Sequence, residues 1–150
     1  MARTFLVDAD IRDGRRFVDA LLAAGVPIAV AGWFRMAETG RYKLHVATPD
    51  VQAHGRLNMY HFFTAVLRAL DLEDLALTAP VAANTTTDAI GGVGDQLRVE
   101  HGAARLGPLL LDGLEIEDGI VYESRPRTEV APSPTPPVFD PARLSAAATG

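Results

Sequence analysis

The sequence predicts an α+β fold: one small domain built α-β-β-α, followed by further short antiparallel strands and a Pro-rich C-terminal tail. Three observations carry this expectation. Segments 10–25 and 56–70 repeat apolar residues at helical spacing, the stretch between them alternates side-chain character about a turn, and residues 126–150 hold six of the ten prolines. The domain is therefore expected over residues 1–125, with 126–150 as a flexible tail or docking segment.

The first helix follows from "DIRDGRRFVDALLAAG". Asp10 is placed to cap its N-terminus, Phe17, Val18, Leu21 and Leu22 recur on one side, and Gly25 stands where a terminating glycine belongs. Next comes a hairpin, "GWFRMAETGRYKLHV". Setting Arg35 opposite Arg41 across a five-residue loop at 36–40 puts Ile28, Val30, Phe34, Tyr42, Leu44 and Val46 on an apolar face. The other face then carries Trp33, Arg35, Arg41, Lys43 and His45. A slip of one residue would mix Lys43 and His45 with Phe34 and Val30, at a desolvation cost that argues against it.

A loop leads into the second helix, about 56–70, with Met59, Phe62, Phe63, Val66, Leu67 and Leu70 on one side and His54, Asn58, His61 and Arg68 on the other. Beyond it, "LEDLALTAPV" fits a helical turn or a strand equally well. The Thr- and Gly-rich run 85–95 is expected to feed a strand near 96–100, and "LEIEDGIVYES" to form a hairpin turning at Asp118-Gly119. Pro108 argues against a helix through "RLGPLLLDG".

Charge is divided along the chain. Residues 1–70 carry nine Arg and Lys against six Asp and Glu, whereas residues 71–124 carry two against eleven. The two parts either neutralise one another within the fold or support head-to-tail association of copies. No run of apolar residues is long enough to span a membrane. With no cysteine there is no disulfide framework and no thiolate site, which fits a cytoplasmic protein. Thirteen Arg to one Lys, with abundant Ala, suggests a GC-rich bacterial genome.

Motif by motif, the chain offers little catalysis. No serine precedes Ser124, so a serine triad is not expected in the folded region. "GGVGDQ" lacks the Lys of a phosphate-binding loop and the strand-to-helix setting of a dinucleotide fingerprint. Asp112, Glu115, Glu117 and Asp118 lack the closing pattern of a calcium loop. His54, Asn58 and His61 share the i, i+4, i+7 face of a helix without the acidic partner that zinc helices supply. No cofactor and no metal is expected.

What remains is a binding surface. Trp33, Arg35, Arg41, Lys43 and His45 form a cationic stripe with an aromatic, and Val138, Phe139 and Leu144 give the tail a short docking element on a stiff Pro spacer. The expected function is a non-catalytic protein-binding or assembly subunit, an accessory component of a bacterial complex that binds a protein partner or self-associates. A nucleic-acid module using the same stripe is the alternative. A metal-dependent hydrolase centred on His45, Asp50, His54 and His61 is the second alternative.

Overall fold

The computed structural model describes residues 5–72, 75 and 81–138. Helix α1 (Asp8–Ala23) starts three residues earlier than the sequence suggests, with Val7 rather than Asp10 at the cap position. Asp10 lies within its first turn rather than at the cap, and its carboxylate accepts the Val7 N–H at 3.1 Å. The interaction is the one expected of an acidic side chain at a helix N-terminus, made from inside the helix.

Strands β1 (Val30–Met36) and β2 (Arg41–Ala47) form the antiparallel hairpin, but its register is the slipped one. Met36 pairs with Arg41, Arg35 with Tyr42, Phe34 with Lys43 and Trp33 with Leu44. The loop is thus one residue shorter than expected, with Gly40 in the left-handed region at φ 65°. The sequence argument assumed one buried face and one wet face. Both faces of this sheet are covered, so Phe34 and Val30 are as well buried on one side as Trp33 and Ala31 on the other.

The second helical region divides into α2 (Pro49–His54) and α3 (Arg56–Ala69), separated by Gly55 at φ 94°. Thr48 caps α2 by accepting the Asp50 N–H at 3.1 Å, and Pro49 occupies the first turn where no N–H is needed. Strand β3 (Val81–Asn84) lies parallel to β2, unlike the antiparallel strands expected after α3. It reaches that position because α3 crosses back over the sheet between them.

Residues 89–96 form a short 3-10 turn, Ala89–Gly92, and a one-turn helix α4 (Val93–Gln96). Of the strand expected near 96–100 there is a single bridge, Val99 to Ser124. Strands β4 (Ala104–Leu106) and β5 (Leu109–Leu111) both pair with the long β6 (Leu114–Ser124). The hairpin turn is Asp112-Gly113, both at positive φ, rather than Asp118-Gly119. Gly119 sits inside β6 opposite Phe34, and a Cβ there would lie 2.8 Å from the Phe34 ring. Both Asp-Gly pairs carry the same turn signal; the volume of Phe34 decides between them.

The sheet order is β3-β2-β1-β6-β4, with β5 also on β6. Helices α1 and α3 cover one face through Phe17, Leu21, Phe63, Val66 and Leu67 against Trp33, Leu44 and Tyr122. Ile90, Val93 and Val99, with the partly buried Leu97 and Val130, cover Phe34 and Val121 on the other face. Among the described residues no helix is long and apolar enough to cross a membrane.

The chain does not leave the domain at Arg125. Arg125 N–H donates to Ala29 O at 2.9 Å, Arg127 donates to Thr86 O at 2.9 Å and pairs with Asp95 at 2.9 Å, and Val130 packs on the second core. Residues 126–133 therefore run across the domain as a strap.

Candidate functional site

The register separates the stripe. Trp33 is fully buried beneath the helices, at the place where Gly14 of α1 comes so close that a Cβ would lie 2.6 Å from the indole nitrogen. It cannot stack on an external base or anchor a partner. Arg35 shares that face but lies at its rim, over the Tyr42 ring at 5.4 Å and 3.4 Å from Glu117. The Tyr42 hydroxyl donates to Asp118, which also pairs with Arg105 at 3.0 Å. Burial, then that hydrogen bond to Asp118, raises the Tyr42 pKa.

Arg41 and Lys43 are exposed on the opposite face, next to His45. Asn84 Nδ2 donates to His45 Nδ1 at 3.1 Å, which leaves the ring proton on a sealed Nε2 that has no partner among the described residues. Burial, with the Lys43 cation adding to it, pushes the imidazole down to about 4. His45 is thus a neutral ring against Phe34, not a member of a cationic surface. Of the five stripe residues, only Arg41 and Lys43 remain together in solvent.

The residues of the hydrolase reading are also apart in their interactions. His45 pairs with Asn84, whereas Asp50 and His54 both engage Ser133, and His61 is exposed on α3. Gly55 interrupts the helix between His54 and Asn58, whose amide donates to His54 O at 2.8 Å. Among the described residues no three side chains of His, Cys, Asp or Glu come together as metal ligands would. The glycines of "GGVGDQ" serve packing. A Cβ on Gly91 would lie 2.2 Å from Thr86 O, and one on Gly94 2.0 Å from Arg125 O.

Sequence reasoning missed two polar clusters. In the first, the fully buried Asp50 carboxylate accepts the Ser133 N–H at 2.7 Å and the Ser133 hydroxyl at 2.9 Å, one on each oxygen. His54 Nε2 donates to Ser133 O at 2.8 Å. "TPD" is a legible helix start, but nothing local says that its acid receives a residue 83 positions away. In the second, buried Glu123 accepts the His101 N–H at 2.5 Å, and its other oxygen lies 3.2 Å from His101 Nδ1 and 3.8 Å from Arg125. The available signal was an acid within the apolar run "GIVYES". It holds the left-handed His101 turn, φ 50°, against β6.

After Ser133 the described part of the Pro-rich segment, 134–138, is largely exposed. Pro134, Thr135 and Pro136 are exposed, and Val138 is 78% exposed. Phe139 and Leu144, the other two expected docking residues, lie outside the described residues. Compared with protein-family models, curated proteins and solved structures, the chain has no match.

Proposed function

We propose that this chain is a non-catalytic protein-binding or assembly subunit, an accessory component of a bacterial complex, that engages its partner through the Pro-rich arm. The observation that carries the reading is the anchoring of Ser133. A rigid domain holds the arm at one end, and the next residues are exposed, poor in N–H groups and rich in proline. Such a segment loses little conformational entropy on docking and suits a partner groove lined by aromatic side chains. Val138, Phe139 and Leu144 would supply its apolar contacts. A cytoplasmic setting belongs to the same proposal.

Self-association by opposite charge has less support. Arg35–Glu117 at 3.4 Å and Arg56–Asp88 at 3.2 Å already join the basic and acidic parts within one chain. The nucleic-acid reading loses its stacking aromatic with the burial of Trp33.

The test is the native mass of the complex isolated with the full chain, with a chain ending at Val138, and with Phe139→Ala. Loss of the partner from both variants, with the domain folded, is the expected result. A partner retained after removal of 139–150 would refute the reading. Salt-dependent binding to DNA or RNA that Arg41→Ala and Lys43→Ala weaken would favour the nucleic-acid alternative instead.

A further inference from the structure

We propose that Ser133 is a modification site that works as a charge-sensitive latch: a negative charge placed on its hydroxyl expels the strap and frees the base of the arm. The inference rests on the reading of the arm as the binding element, and names how that element would be regulated.

The geometry is that of a residue whose every polar group is committed to one helix. Ser133 gives its N–H and its O–H to the two oxygens of Asp50, and its carbonyl accepts from His54 Nε2. Its neighbours Pro132 and Pro134 have no N–H, so no adjacent residue can take over as donor. Asp50 is fully buried, and among the described residues no cation pairs with it, so Ser133 supplies the hydrogen bonds that its charge requires. The same contact is therefore favourable with a hydroxyl and strongly unfavourable with an anion.

Phosphorylation is the chemistry that makes this change. The Ser133 oxygen bonds to the terminal phosphorus of a nucleoside triphosphate, the bond from that phosphorus to the bridging oxygen breaks, a nucleoside diphosphate leaves, and the hydroxyl proton is released. The product has no donor for Asp50 Oδ2 and faces a carboxylate in a site of low dielectric with close to two negative charges. The side chain is only partly covered, so transient opening of the strap is enough to present it. Among the described residues His54 is the one titratable group besides Asp50 that bonds Ser133, and its bonded nitrogen is already directed at the carbonyl.

Amide exchange in the full-length chain tests the latch directly, because among the described residues Asp50 alone accepts the Ser133 N–H. With Ser133→Asp as the charge probe, protection at Ser133 and over 127–131 should fall roughly tenfold or more, and with Ser133→Ala only a few-fold. Adding Asp50→Asn to Ser133→Asp removes the repulsion and offers an amide donor, so most of the protection should return. Amides of β1 and β6 should keep wild-type exchange throughout. The latch is refuted if Ser133→Asp is no more open than Ser133→Ala, or if Asp50→Asn fails to restore it. A strap that opens as described, in a protein whose complex survives removal of residues 139–150, would uphold the latch and overturn the binding role of the arm.

Discussion

Lowering the pH should destabilise this protein through His45 in particular. The folded imidazole is held at about 4, against an ordinary value of 6.5, chiefly by burial and secondarily by Lys43. As the pH falls through the ordinary range the unfolded chain takes up the proton first, so stability is lost between the unfolded and the folded value and is fully present above it. Between about pH 7 and about pH 5 this amounts to about 2 kcal/mol, or a drop in Tm of roughly 6 °C for a chain of this size. His45→Gln removes the titration and keeps an amide able to bond Asn84. Urea unfolding across that range, for wild type and variant, measures the effect as a difference in slope. Contributions from the rest of the chain are common to both proteins and cancel in that difference. The variant has its own pH-independent cost, but its stability should be flatter with pH and should meet or cross the wild-type curve toward the acid end. Parallel curves would refute the reasoning, since they would mean that the His45 ring reaches water when charged.

Further expectations concern packing and the strap. Gly119→Ala puts a Cβ 2.8 Å from Phe34 Cδ1 and 2.9 Å from Trp33 O, and should cost about 1–3 kcal/mol by thermal unfolding, with part of it recovered by Phe34→Leu. Ending the chain at Arg125 removes the Arg127, Val130 and Ser133 contacts and should lower stability by about 1–3 kcal/mol while leaving a folded domain. Ending it at Val138 should leave stability within about 0.5 kcal/mol of the full chain, and denaturant midpoints for the two truncations will separate strap from arm. Glu123→Gln should loosen the His101 turn, read as faster exchange of the His101 and Gly102 amides with β1 unaffected.

Local pattern was enough to specify the helices α1 and α3, the existence of the β1–β2 hairpin and the Pro-rich character of the end, because each depends on the backbone period or on proline chemistry within a few residues. Phe17, Leu21, Phe63 and Leu67, which helical spacing places on the apolar faces, are buried in the core. The hairpin register was different. It was inferred by sorting apolar from polar side chains, and that rule holds only where one face meets water. Here residues 89–99 and the strap cover the second face, so Phe34 is buried there beside Lys43 and His45, and the sheet separates Trp33 and Arg35 from Arg41, Lys43 and His45. In the same way two Asp-Gly pairs offered the same turn, and Phe34 lying against Gly119 selected the other one. The Asp50–Ser133 contact had no local signature at all. Which buried acid receives which distant hydroxyl depends on the surfaces that cover one another after the chain has folded, and only the tertiary structure brings those two residues together.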